Sequence, residues 1–318
     1  MGRMHLKIDE MIQSEDTGCR YEAWSEYRKE LTDLIIDCVE HYHIKHRLKM
    51  TGSRRLADTY TIENIISELS DKPVLAIWGA GGCNDIDILR LSKYFRLVLI
   101  DRDVKKLTDT RSHFNLSEDE CICIDLNFWD IKDDDYRNFE RMLLKGDDIS
   151  EIEDYLTLVI DGFPMNDYKS LPKFDYSVVV GVSSQLNVRF AVLASLYDKY
   201  EELSHFIYEL NVKAVERMFA AACDMTKGLI LWGYEQRSAR SEAELKELQH
   251  SINEDNGISY ERIFESDIAG SDVLEKILRN SLKRENDYCL LCDKAMIWPF
   301  EVDKFYLMRI LALEKLAF

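Results

Sequence analysis

Long apolar runs are missing from this sequence. No stretch approaches the ~18 consecutive apolar residues that a membrane-spanning helix needs, so no membrane partner is expected. The first residues, MGRMHLKIDEMIQSED, lack the apolar core of an export signal, which leaves the cytoplasm as the expected location. Cysteine is sparse: eight in 318 residues are too few for a disulfide scaffold. Positive charge is also short. With 41 basic against 59 acidic residues the net charge is −18, and a chain this acidic is repelled by phosphate backbones, which speaks against nucleic acid as the main partner. Internal repeats and low-complexity tracts are absent too.

What is present suits a soluble globular protein: 46% hydrophobic and 31% charged residues are ample for a sizeable core. Basic residues gather once, in YHIKHRLKMTGSRR, where Lys45, Arg47, Lys49, Arg54 and Arg55 form either a solvated helix end or an anion-recognising lip. Cys289 and Cys292 form a C-x-x-C inside an apolar strand-like run with no second pair, so buried thiols are expected rather than a zinc or redox centre. His41, His43 and His46 lack the i, i+4 spacing that would put two ligands on one helical face. No metal site is expected.

Periodicity divides the chain. Residues 20–47 carry Trp24, Tyr27, Leu31, Leu34, Ile35 and Cys38 at helical spacing, and TIENIISELSD reads as a second, short helix. Then come the apolar runs VLAIW, RLVLID, CICIDL, FDYSVVV and GLILWGYE, separated by helical stretches that include DIDILRLSKYF (with Ile86, Leu89 and Leu91 turned to the core) and VKKLTDTRSHF. Strands apolar throughout and alternating with helices argue for a parallel sheet covered on both faces. The chain closes with KAMIWPFE and KFYLMRILALEKL around a short Val302-Asp303 turn, an antiparallel hairpin whose last run also fits a helix by its leucines. Residues 118–154 hold fourteen acidic residues against four basic ones, as an inserted surface helix-and-loop segment would.

One stretch points to a ligand. In VLAIWGAGGCND an apolar strand runs into Gly79, Ala80, Gly81 and Gly82. Small residues let a ligand touch the backbone, and a following helix start offers free N–H groups. Twenty residues after Gly81, the next strand ends in Asp101, where a carboxylate beside such a loop can take both hydroxyls of a ribose. A nucleoside-containing ligand follows from this pair. Which nucleoside does not, and the loop remains open to reading as a plain tight turn. A dinucleotide fingerprint would need a third glycine at position 84, which is Asn84; an NAD-dependent oxidoreductase is therefore one alternative.

The order of motifs resembles the class I S-adenosylmethionine-dependent methyltransferases over residues 71–318. The chain is similar to them in Gly79-Ala80-Gly81, in Asp101, in Asp125-Leu126 of CICIDLNFWD, in the loop after FDYSVVV and in the closing hairpin. It departs from them at Ile77, where many members carry an acid, and at Cys83, in place of a third glycine. The resemblance implies an α/β, doubly wound, mostly parallel seven-stranded sheet with a C-terminal antiparallel hairpin. Residues 1–70 would form an N-terminal helical region and possible cap, ahead of a Rossmann-like domain at 71–318 with an acidic insertion around 128–172.

The resemblance also implies S-adenosyl-L-methionine as cofactor and methylation of a small-molecule acceptor; a catalytically inactive nucleoside- or partner-binding member of the fold is the other alternative. Gly79, Ala80, Gly81 and Gly82 would lie under the methionine moiety. Asp101, with Arg102 beside it, would hold the ribose; Asp125 would accept from the adenine amino group and Leu126 would pack on the ring. Gly181, Val182 and Ser183 would line the methyl-donor side. Asp101 as a solvated carboxylate and Asp125 as a strand-end cap remain open. No catalytic residue is named, because a sulfonium is already activated and positioning supplies much of the rate. GVSSQLN lacks the Asn-Pro-Pro-aromatic signature of nucleobase amino methylation. Ser184, Gln185, His205 and Tyr234 are the polar candidates near predicted strand ends.

Overall fold

Ile77 and Trp78 face opposite ways, and that alternation organises the molecule. The structure is a computed structural model and describes residues 21–51, 61–127, 131–161, 171–186, 188–254, 266–283 and 288–316. Seven strands form one sheet: β1 Val74–Trp78, β2 Arg96–Asp101, β3 Cys121–Asp125, β4 Phe174–Val180, β5 Thr226–Ala239, β6 Tyr288–Glu301 and β7 Lys304–Lys315. Their order is β3-β2-β1-β4-β5-β7-β6. The first five run parallel, whereas β7 lies antiparallel to both β5 and β6. The doubly wound sheet and its closing hairpin are as the sequence implies, and the final leucine-rich run is strand, not helix. Val302 and Asp303 make the hairpin turn.

Leu75 and Ile77 of β1 point to one face and Ala76 and Trp78 to the other, each into its own apolar core. On the first face lies helix α1 (Ser25–Thr51), which buries Trp24 (just ahead of it), Tyr27, Leu31, Ile35, Cys38 and Val39 against β1, β2, β4 and the hairpin. Helix α2 (Ile62–Glu68) joins the same core through Ile62 and Ile65. Burying a large apolar side chain is worth about 1.5–3 kcal/mol, so Leu31, Ile35 and Val39 alone tie α1 firmly to the sheet. The short α3 (Ile88–Leu91) and α4 (Val104–His113) follow β1 and β2.

The second face is covered by α5 (Asp133–Lys145), α6 (Ile149–Asp161), α7 (Val188–Leu196), α8 (Tyr200–Met225) and α10 (Ser271–Lys283), with α9 (Glu242–Glu254) packed at the β6 side. The acidic stretch departs from expectation here. Its helices α5 and α6 are amphipathic, and Tyr136, Phe139, Leu143, Ile152 and Leu156 are core residues; the acids occupy the outward side. The DIDILRLSKYF run also departs. Only Ile88–Leu91 is helical, capped by the Asp87 carboxylate accepting from the Arg90 N–H, and Leu89 is 44% exposed while Ile86, Ile88 and Leu91 are buried.

Candidate functional site

The glycine stretch leaves β1 at the point where the sheet order reverses, between β2 and β4, where open α/β sheets have their crevice. Gly79 and Ala80 both donate to the Ile100 carbonyl, at 2.8 and 3.1 Å, so the loop is fastened to the neighbouring strand. Gly79 and Gly81 have φ of 67° and 49°, which glycine adopts without cost. Cys83, in place of the third glycine, holds φ 49° as well. The backbone is thus kept at a strain of roughly 1–2 kcal/mol. The side chain is paid off by burial, and burial pushes its thiol well above the usual range. Ile77 is buried among apolar neighbours.

Asp101 closes over this loop. Its Oδ2 accepts from the Gly81 N–H and its Oδ1 from the Asp103 N–H, both at 3.0 Å. A carboxylate offers about four acceptor positions, so two are left beyond these bonds. Register places Asp125 directly beside Asp101. Asp125 is exposed at its strand end, and Leu126 is half-buried with its N–H on the Asp101 carbonyl at 3.0 Å. Arg102 is exposed on the outer side. A Cβ added to Gly81 would meet nothing nearer than 3.9 Å, at the Gly79 carbonyl and Lys106 Nζ. The face of the loop is therefore open, with one cation beside it. Lys106 escaped the sequence reading; it sits in the first turn of α4, where the Asp103 cap accepts its N–H.

Beyond the loop the strand ends are built from side chains. A Cβ on Gly79 would lie 2.6 Å from Val182 Cγ2, so Val182 rests directly on the glycine. Gly181 has φ 65° and lies against the Trp298 ring, with Glu235 Oε1 just beyond. Ser183 is fully buried and shares a hydrogen bond with Ser271 at 3.2 Å, under the close approach of Gly270. Ser184 donates to Glu235 Oε1 at 2.7 Å and Ser271 to Oε2 at 2.5 Å. Gln185 Nε2 donates to the Gly181 carbonyl at 2.7 Å, fixing the turn.

Helix α1 completes this side. Trp24 meets Trp298 edge-on at 5.0 Å and Tyr27 stacks on it at 5.8 Å. Arg28 donates to the carbonyls of Tyr21 and Asn84, each at 2.8 Å, and Asp87 donates its N–H to Thr32 Oγ1. The start of α1 is thereby fixed to the segment after the glycine loop. Asp85 in that segment has its pKa pushed up to about 6 by desolvation, partly opposed by a backbone hydrogen bond and by Arg28. Burial, then Asp85 and Glu235, hold the Tyr27 phenol well above its usual range.

Other candidates lie elsewhere. Tyr234 is fully buried on the opposite face of β5, among Arg309, Glu275, Asp293 and Arg279, because it is one residue out of phase with Glu235. His205 is an exposed residue of α8, a helix that begins well before β5. Of the basic stretch, Lys45 pairs with Glu314 and Arg47 with Glu68, both at 2.6 Å; Arg54 and Arg55 lie outside the described residues. His43 bonds to the Tyr176 hydroxyl and His46 lies 2.9 Å from Glu314. Cys289 and Cys292 are half-buried rather than buried. Cys292 bonds to Cys38 of α1 across the interface, which lowers its pKa. No group of three candidate metal ligands occurs among the described residues.

No protein-family model and no curated protein matches this chain. Among solved structures it is similar to the N-methyltransferase NodS from Bradyrhizobium japonicum WM9 in complex with S-adenosyl-L-homocysteine. Identity there is 12%, over 87% of this chain and 98% of that one, with a TM-score of 0.36. It is also similar to the magnesium protoporphyrin IX methyltransferase from Synechocystis PCC 6803 (10%, 80% and 81%, 0.34) and to a SAM-dependent methyltransferase from Methanosarcina mazei (11%, 80% and 97%, 0.37). Likeness this distant adds nothing to the chemistry of the residues. The sheet itself decides the architecture: five parallel strands with β7 reversed between β5 and β6 give this chain the class I methyltransferase fold.

Proposed function

We propose that the protein transfers a methyl group from S-adenosyl-L-methionine to a small-molecule acceptor. The observation that carries this reading is the open glycine loop fastened to Asp101 at the switch point of a sheet with a reversed β7. The donor set fits the cofactor. Asp101 and the neighbouring Asp125 offer acceptors to ribose hydroxyls and an adenine amino group. Leu126 supplies an apolar surface for the ring, and the bare backbone of Gly81 leaves room for the methionine arm with Lys106 near its carboxylate. Gly181 and Val182 line the side toward the acceptor, Ser183 supports them from behind, and α1 caps that side.

When bound, the cofactor supplies a methyl group on an already activated sulfonium. The chain's own work is then positioning and exclusion of water, which does not call for an acid–base pair. NAD fits less well, because Asn84 replaces the third glycine and an antiparallel β7 divides β5 from β6. A non-catalytic binding member of the fold is favoured by one observation, the apolar packing of Ile77 where an acid would steady the loop.

Calorimetric titration separates these readings. S-adenosylhomocysteine should bind and raise the melting temperature, a ligand at a hundred times its Kd adding about 2.7 kcal/mol, while NAD should give neither effect. Binding of NAD alone would overturn the proposal. Binding of the adenosyl ligand with no methylated product from any acceptor class would leave the non-catalytic member.

A further inference from the structure

Next to the methyl-donor side, three buried rings and two carboxylates surround polar atoms that make no hydrogen bond among the described residues. Tyr27 is 2% exposed and Trp298 5% exposed. Among the described residues neither the Tyr27 hydroxyl nor Trp298 Nε1 makes a hydrogen bond. Buried donors are normally satisfied, so two orphans in one cluster ask for an explanation. The Tyr27 hydroxyl lies within the fields of Asp85 and Glu235, with a smaller effect from Glu30. Glu235 is 2% exposed and is held by two serine hydroxyls, which support its charge but do not neutralise it. Arg28, whose charge acts on Asp85, directs its guanidinium to two backbone carbonyls and to the Tyr21 ring at 3.6 Å. The cluster also touches the donor side directly, since both Trp298 and Glu235 abut Gly181.

We propose that this cluster is the acceptor pocket and that the acceptor is a small amine, cationic when protonated and bearing a hydrogen-bond-accepting oxygen near its nitrogen. The inference rests on the methyltransferase reading. Three features select the class. Ring faces attract a cation, Trp best of all. Glu235 and Asp85 favour positive charge and repel a carboxylate or phenolate acceptor. The orphan donors of Tyr27 and Trp298 take an acceptor oxygen that a purely hydrocarbon amine lacks. Transfer balances simply. The ammonium loses one proton to solvent, and the nitrogen lone pair forms the new N–C bond as the S–C bond breaks. Sulfur keeps that electron pair and becomes a neutral thioether.

The test uses the full chain saturated with S-adenosylhomocysteine and three matched probes: 2-phenoxyethylamine, its alcohol 2-phenoxyethanol and the anion phenoxyacetate. Two more amines of the same size, each with its alcohol and carboxylate, guard against an accident of shape. By calorimetry the amines should bind at least tenfold tighter than their alcohols, and the carboxylates should show no heat. Glu235→Gln should weaken amine binding tenfold or more while the S-adenosylhomocysteine Kd stays within twofold. Trp298→Phe, which keeps a ring but loses the N–H, should fall between parent and Trp298→Leu; circular dichroism establishes that each variant is folded. With S-adenosylmethionine, the bound amine should gain the mass of one methylene. Equal or tighter binding of alcohols or carboxylates, or an unchanged Glu235→Gln, overturns the amine assignment. Failure of S-adenosylhomocysteine itself to bind would remove the methyltransferase reading and this inference with it.

Discussion

The two halves of the carboxyl edge are built by opposite means. On the β1–β2 side the surface is backbone: a run of small residues, held by N–H groups on the Ile100 carbonyl and the Asp101 carboxylate, open above Gly81. On the β4–β6 side it is side chain: Trp24, Tyr27, Trp298 and Glu235 are buried together, each from a different turn or strand. A backbone surface costs little stability when its ligand contacts are altered, whereas a side-chain surface doubles as core. Binding and folding should therefore separate on the first side and remain entangled on the second.

The sharpest way to break this contrast is Trp298→Ala. Removing a buried tryptophan costs about 3–5 kcal/mol, so the variant should show a much lower denaturation midpoint in urea; an unchanged midpoint would mean that the aromatic cluster is not core. Gly79→Ala comes next and tests the one place where the backbone side leans on a side chain. The new methyl would sit at φ 67° against Val182. Left-handed strain of roughly 1–2 kcal/mol adds to overpacking of about 1–3 kcal/mol. Adding Val182→Ala should restore the overpacking part only, which a double-mutant cycle measures.

Asp101→Ala sharpens the contrast from the binding side. Charge-assisted hydrogen bonds are worth about 1.5–3 kcal/mol each, at ~1.4 kcal/mol per tenfold in affinity. The S-adenosylhomocysteine Kd should rise ten- to a hundredfold in a calorimeter, with a smaller loss of stability from the Gly81 and Asp103 N–H bonds. An unchanged Kd would reduce the glycine stretch to a turn. The smallest effect is in pH. Because the folded-state pKa of Asp85 is raised to about 6, the folded protein binds the proton more tightly than the unfolded chain between pH 4 and 6. Stability from this group therefore falls as pH rises through that window. Asp85→Asn should remove about 1 kcal/mol of the stability change across that window, allowing for partial solvation; a pH dependence unaffected by the substitution would contradict the shift.

The same contrast decides what was legible beforehand. The glycine stretch and Asp101 are local signals, since a strand, a run of small residues and a carboxylate one strand later show in the sequence without any tertiary knowledge. The five parallel strands were legible for a similar reason, as apolar runs buried on both faces. The aromatic cluster was not. Residues 24, 27, 85, 235 and 298 meet only after the chain has folded, and Trp24 and Tyr27 looked like the ordinary stripe of an amphipathic helix. Predicted strand ends point to Tyr234 as readily as to Glu235, because they do not fix which alternate residue faces the crevice. Lys106 carries no local signal, because its position beside Gly81 depends on where α4 begins. In the acidic stretch, charge hid the apolar stripes of α5 and α6, whose spacing was the better guide.

One feature of the sheet governs how the protein is made. The strand latest in sequence, β7, does not extend an edge but lies inside, between β5 and β6. During synthesis β1 to β5 can pair as they emerge, yet β5, fourteen residues long, has an unpaired side until residues 304–315 are available. Long unpaired strands invite pairing with other chains. The nascent protein thus carries its glycine-loop side early and its aromatic side last, and a chain halted before residue 304 would expose the very strand that bears Glu235.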